Sequence, residues 1–246
     1  MPIHLGAGGW AWMALLVFAA SFIRGYSGFG FAALIAAGAA LVTDPIELVP
    51  VLLLSDMVLT GAQVPTIRGH IAWRRVASLL LGAAVGVPLG LWLFARLSPD
   101  AGRLAVSGWV LLMCLGLWAG WRLHRPPGLA ANAGVGVLSG LANGAAIGGL
   151  PVAVFFAAQP IPAATLRATL VTYFAVLDLW TLGLLAWAGQ VTLADLRLLA
   201  IGLPLMIAGV LLGSRRFLAA PPEEFRRFAI WTLMALSLLG MVRTLL

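Results

Sequence analysis

Apolar residues along this chain run in unbroken blocks, parted by short turns that carry arginine, proline and glycine. Ten blocks can be drawn, at roughly 9–24, 28–43, 46–64, 72–95 and 103–121, then 129–142, 147–158, 163–187, 194–214 and 225–244. A helix rises 1.5 Å per residue, so about 20 apolar residues cross the ~30 Å hydrocarbon core of a bilayer. Many of the blocks approach that length, and the alternating segments of a membrane β-barrel are absent. The pattern predicts an all-α polytopic membrane protein.

Laid on itself, the chain repeats. Gly69, Gly82 and Arg96 coincide with Gly189, Gly202 and Arg216 at a spacing of 120, and Gly25 and Pro45 with Gly140 and Pro160 at 115. Two transmembrane repeats, 1–122 and 129–246, are expected, joined by a linker at 123–128. Each holds about five hydrophobic segments, and the first two of each are short. The twelve residues of 147–158 reach only about 18 Å as a helix. Such a segment is half of a broken helix, a re-entrant leg, or a short helix in a thinned site.

The arginines choose among these topologies. If each short pair crosses the membrane once, the loop arginines divide 7 to 7 between the faces. If each pair forms a hairpin or two short crossings, the halves are inverted. One face then collects 11 arginines, Arg24, Arg75, Arg122 and Arg167 among them, against Arg96, Arg103, Arg197 and Arg243 on the other. The second arrangement obeys the positive-inside rule and places both termini outside. An inverted repeat with interrupted short helices at matching positions points to a transporter whose site lies at the interruptions.

The first interruption is Arg24-Gly25-Tyr26-Ser27-Gly28-Phe29-Gly30 and the second runs from Gly140 to Pro151, through Asn143, Gly144, Gly148 and Gly149. Each precedes a short helix whose first-turn N–H groups lack helical partners. Glycine lets the backbone turn inward, and a helix N-terminus favours negative charge. Two such ends meeting near the midplane would cradle an anion. Arg24 would add a full charge; Tyr26, Ser27 and Asn143 would add neutral hydrogen bonds. The plainer reading is that the glycines permit close helix packing and Arg24 snorkels. Asp56 and Asp178, each within a block, either carry a coupling proton or pair with Arg24 or Arg167. Arg167 reads first as an anchor of the cytoplasmic end and second as a site residue. Gln159 is a weaker polar candidate.

Composition narrows the class. The 246 residues are 62% hydrophobic and 9% charged, with a mean hydropathy of +1.05 that no soluble domain shows. All 15 basic residues are arginine, and they lie in short loops, so the net charge of +7 concerns topology and not nucleic acid. The single cysteine, Cys114, permits no intrachain disulfide and reads as a small core or lipid-facing residue. The N-terminus lacks the basic region of a signal peptide, so the first helix is expected to be retained. No Walker loop, HExxH or Cys/His cluster is present, and no cofactor or metal is expected.

The stretch Gly25-Tyr26-Ser27-Gly28-Phe29-Gly30, followed by Asp44-Pro45, resembles the first repeat of the sulfite exporter TauE/SafE family. Gly140-Leu141-Ala142-Asn143-Gly144, Ile147-Gly148-Gly149-Leu150-Pro151 and Leu166-Arg167-Ala168-Thr169 with Tyr173-Phe174 resemble its second repeat, and the tail from Gly189 has the same look. Many members carry Gly-Gly-Pro-Pro where this chain has Gly148-Gly149-Leu150-Pro151. The resemblance spans nearly the whole chain. It implies a secondary transporter, an exporter, of small sulfur-containing anions such as sulfite or organosulfonates. The expected partners are that anion, the lipid bilayer, a proton as a possible coupling ion, and a possible second copy of the chain. The expected location is the cell inner membrane, multi-pass.

Two other classes compete. Gly25-Tyr26-Ser27-Gly28 spells GxSG, which suggests a rhomboid-like intramembrane serine protease. A serine nucleophile needs a base within reach, and His4, His70 and His124 all lie outside the apolar blocks. A non-transporting membrane scaffold would have no need of charged residues at paired helix breaks.

Overall fold

A computed structural model describes residues 6–67, 69–120, 122–123 and 127–219, together with 231, 234–235, 237–238, 240–242 and 244. His4, Arg68, His124, Arg125, Arg226, Arg227, Arg243 and most of the block at 225–244 lie outside the described residues, as does the Ser27 side chain.

The described helices are α1 (Ala7–Ser27), α2 (Phe31–Ala39), α3 (Val49–Ile67), α4 (Trp73–Phe94) and α5 (Pro99–Trp118), then α6 (Leu129–Asn143), α7 (Gly149–Ala157), α8 (Ala163–Trp187) and α9 (Leu193–Ala219). A 3-10 turn, Pro45–Leu48, leads into α3, with Asp44 Oδ1 accepting from Ile46 N at 3.0 Å. Ser98 caps α5 in the same way, followed by Pro99 at its first position. Among the described residues, six helices are long and apolar enough to cross a membrane. Exposed tryptophans stand near helix ends, Trp73 at the start of α4, Trp118 at the end of α5 and Trp187 at the end of α8. There an amphipathic ring meets the lipid headgroups. The protein is an all-α polytopic membrane protein.

The first block is longer than its hydropathy predicted. α1 continues through Arg24, Gly25 and Tyr26 and reaches 21 residues. The polar run looked like a break because Arg24 and Gly25 lower the local hydropathy. Both are paid for by tertiary partners, so the helix persists to the left-handed Gly28. The second break is likewise narrower than Gly140–Pro151. α6 holds to Asn143, and α7 begins at Gly149. The short elements are α2 and α7, nine residues each, about 14 Å long.

Helix α1 packs along α9, and α6 along α4; α3 leans on α9 as α8 leans on α4, and α3 meets α8 at the centre. Exchanging the two halves maps this pattern onto itself. Both long contacts are built on glycine. A β-carbon on Gly82, Gly86 or Gly90 would fall within 2.2 Å of the carbonyl oxygens of Ala133, Val137 or Leu141. From the other side, a β-carbon on Gly136, Gly140 or Gly144 would stand 2.0, 2.8 or 2.4 Å from backbone atoms of α4. In the partner contact, Gly25 abuts Val210, Gly209 abuts Phe18, and Gly213 abuts Phe22. Residues spaced by four share one helix face, and small ones let backbones touch where lipid supplies no hydrophobic drive.

Candidate functional site

The two chain breaks differ in how they turn. Gly28 (φ 83°) closes α1, with its N–H donating to Arg24 O at 2.8 Å, and Gly30 (φ 95°) opens α2. Both occupy the left-handed region that L side chains avoid. In the second break that conformation falls to Ala146 (φ 58°), the one non-glycine with positive φ among the described residues. This segment is pinned by side chains: Tyr173 Oη donates to Ser139 Oγ at 2.9 Å, and Ser139 Oγ donates to Gly148 O at 2.6 Å.

Between the breaks lies a cavity of about 30 Å³, large enough to hold water. The starts of both short helices wall it, through Phe31, Ala32 and Ala33 of α2 and Gly149 and Leu150 of α7. Facing these are Arg24, Asp56, Asn143 and Asp178. The sequence placed these four on four different blocks; α1, α3, α6 and α8 bring them to one point.

Arg24 is 1% exposed. Its Nη2 lies 3.2 Å from Asp56 Oδ2 and donates to Thr60 Oγ1 at 3.1 Å. Its Nη1 donates to Gly28 O, its guanidinium stands 5.5 Å from the centre of the Phe174 ring, and its buried Nε has no partner. A matching cluster occupies the second half. Asn143 Nδ2 donates to Asp178 Oδ1 at 3.1 Å and to Thr181 Oγ1 at 2.8 Å. In each half, a polar residue of the first helix thus holds an Asp and a Thr one turn apart on the third. Asp56 and Asp178 thus line the same cavity from α3 and α8.

Arg167 is buried rather than set at a membrane interface. Its Nη2 donates to Gly25 O at 2.9 Å and to Ser214 Oγ at 3.3 Å, at the carbonyl end of α1. Gln63 Nε2 donates to Arg24 O there at 3.2 Å. A cation at a helix C-terminus complements the backbone dipole. Gly28 packs under the Arg167 side chain, where a β-carbon would stand 2.8 Å from Cγ.

Of the remaining candidates, Gly30 and Gly149 line the cavity. Gly25 and Gly144 lie at helix crossings against Val210 and Gly90, the packing role that the plainer reading gave them. Gly148 sits against Asn143, and Tyr26 is buried beside Gly213 without lining the cavity. Gln159 accepts from Arg75 Nη1 at 2.8 Å, at the far end of α7. Thr60, Thr181, Gln63, Phe174 and Ser139 were missed. The available signal was a hydroxyl one turn beyond each buried Asp. Among the described residues, His70 is the one histidine, in the turn before α4, and no three His, Cys, Asp or Glu side chains gather.

The sulfite exporter TauE/SafE family matches residues 13–239. The chain is 31% identical over 181 residues to a probable inner membrane transporter protein, TsaS, of Comamonas testosteroni, covering 69% of this chain and 72% of that one. It is 30% identical over 176 residues to a probable sulfite/organosulfonate exporter, TauE, of Cupriavidus necator, covering 68% of each. No solved structure matches. The match across nearly all of the chain, on a helical membrane fold, shows that this protein belongs to the sulfite exporter TauE/SafE family, whose members are membrane transporters and not enzymes.

Proposed function

We propose that the protein is a secondary transporter of small sulfur-containing anions, sulfite or short organosulfonates, and works as an exporter in the inner membrane. The observation that carries the reading is the buried guanidinium of Arg24 beside the first turns of two short helices in one cavity. The first turn of α2 and the Gly149 amide at the start of α7 offer N–H groups, beside the positive ends of two helix dipoles; Leu150 donates to Ile147 O and Pro151 has no N–H. A sulfonate or sulfite oxygen would take the free Nε of Arg24 and the amides of α2 and α7, while Asn143 orients it. Asp56 and Asp178 stand where a coupling proton would be carried. The exchange symmetry of the packing supports inverted repeats, with both termini outside, and alternating access by rocking one half against the other. The two halves meet through backbone contact at glycine, a surface suited to sliding.

The cavity is sealed from an apolar groove of about 130 Å³ between α1, α2, α3 and α9 by Phe31 and Leu52, which line both spaces. We read that pair as the inner wall of one access path.

Counterflow in proteoliposomes tests this. Labelled sulfite and a short organosulfonate should exchange, whereas a carboxylate and a cation should not. Arg24→Ala should abolish exchange, and Arg24→Lys, which keeps charge without the planar fork, should leave a small part. Equal exchange in wild type and Arg24→Ala would remove the anion from this cavity. No exchange of any sulfur anion would overturn the substrate class.

A further inference from the structure

The last turn of α1 is held by side chains of α3, α8 and α9. Arg167 Nη2 on α8 donates to Gly25 O at 2.9 Å and to Ser214 Oγ on α9 at 3.3 Å. Ser214 Oγ lies 3.2 Å from the same Gly25 oxygen, and Gln63 Nε2 on α3 donates to Arg24 O at 3.2 Å. Two residues on from Arg167, Thr169 Oγ1 accepts from Ala72 N at the start of α4. The beginning of α8 is thus bonded to α4 through Thr169 and, across the molecule, to the pair α1 and α9 through Arg167. Arg24, Gln63, Arg167 and Thr169 are all buried, so the turn is shut off from water on this face.

The opposite face is built differently. The apolar groove opens along the first halves of α1, α3 and α9, and its lining is apolar apart from Thr43, Ser55 and the indole of Trp10. Ser55 Oγ donates to Val51 O within its own helix. Phe31 and Leu52 separate this groove from the cavity. The repeat relates the two faces: Leu52 follows Pro45 by seven positions, and Arg167 follows Pro160 by seven. One position of the repeat therefore carries an apolar wall towards one face and a cationic tie towards the other. A guanidinium and carbonyls that part at a membrane surface exchange their bonds for bonds to water, so such a tie opens at small net cost.

We propose that Arg167, seated on the Arg24–Gly28 turn, is the gate of the face to which α1 and α9 run, shut in this structure, and that it opens when α8 parts from the glycine-packed pair α1 and α9. This rests on the transport reading above. The open arrangement turns the site towards the Arg167 face and closes the groove beyond Phe31 and Leu52. Arg24 sits on both sides of the event: its Nη1 holds the same turn through Gly28 O, and an anion that takes the guanidinium loosens that hold.

The test uses the full chain in right-side-out and inside-out membrane vesicles, labelled with a membrane-impermeant cationic methanethiosulfonate. Two reporters are placed singly. Ser55→Cys lies in the groove, and Val171→Cys lies one turn beyond Arg167, against Gly28. Cys114 is buried, so the chain without a reporter is the blank. Ser55→Cys should label from the groove face, and Val171→Cys should label slowly from the Arg167 face. Adding Arg167→Ala should speed Val171→Cys by about tenfold and slow Ser55→Cys by about twofold, as one population grows at the expense of the other. Ser214→Ala, which removes one partner of the gate and leaves its charge, should move both rates in the same directions by less, and it alone decides if the Arg167 variant does not reach the membrane. Rates that both rise report loosened packing and overturn the gate, as do unchanged rates. Counterflow of the chain without a reporter separates the two failures. Counterflow with labelling that is not reciprocal overturns the gate alone. Absent counterflow overturns the transport reading, and the labelling still decides whether the turn shuts that face.

Discussion

Arg24 of α1 and Asp56 of α3 are joined by a 3.2 Å ion pair in the interior of a membrane protein, and neither has another charged partner of opposite sign within salt-bridge distance among the described residues. Removing one member of a buried pair strands the other. Arg24→Ala or Asp56→Ala should each cost about 3–5 kcal/mol. The double variant Arg24→Ala/Asp56→Ala should lose less than the sum of the two, because no charge is stranded. Thermal unfolding in detergent, arranged as a double-mutant cycle, measures this. Additive losses would mean that the pair is not energetically coupled.

Glycines in this chain divide into two kinds that a single measurement can tell apart. Gly86 on α4 faces Val137 so closely that a β-carbon would stand 2.2 Å from its carbonyl oxygen, whereas at Gly108 on α5 nothing lies within 4 Å. Gly86→Ala should force α4 and α6 apart and cost about 1–3 kcal/mol. Gly108→Ala should gain about 0.5–1 kcal/mol from the lower backbone entropy of the unfolded chain. A common sign for the two melting-temperature changes would contradict the crossing geometry.

Ala146 holds a left-handed conformation at the second break, where the first break uses glycine twice. Ala146→Gly should relieve roughly 1 kcal/mol of that strain, and Ala146→Val should lose more than that amount. The melting temperature should therefore rise in the first variant and fall in the second. If strain at this break helps the site to change state, the Gly variant will also exchange anions more slowly despite its greater stability.

Cys114 is fully buried on α5 within the main apolar core, so it faces neither lipid nor the cavity. A membrane-permeant maleimide should leave it unmodified in the native protein for as long as a core opening is rare, and label it completely after denaturation. Prompt labelling of the folded protein would show that α5 is not packed as described.

The hydropathy blocks made the membrane class and most helices legible, because an apolar run of spanning length has few other uses. The short helices after the two breaks were legible as apolar runs too short to span. The end of α1 was not, because hydropathy cannot see that Thr60, Asp56 and the Gly28 carbonyl receive the arginine. The roles of Gly25 and Gly144 were also hidden. A glycine that admits a neighbouring backbone and one that turns the chain read alike in sequence, although the four-residue spacing of 82, 86 and 90 and of 136, 140 and 144 marked the former. Arg24, Asn143, Asp56 and Asp178 stood out as polar residues in apolar blocks. Their meeting at one point depends on long-range helix pairing that no local pattern encodes.

Phe31 is the first residue of α2 and also part of the wall between the cavity and the apolar groove. Its backbone amide is among the first-turn donors available to an anion, while its ring closes the path beside it. On the proposed reading, grip and shutter are a single residue, joined by one Cα–Cβ bond. An anion that draws on that amide would turn the ring by the same motion, with no relay through intervening side chains.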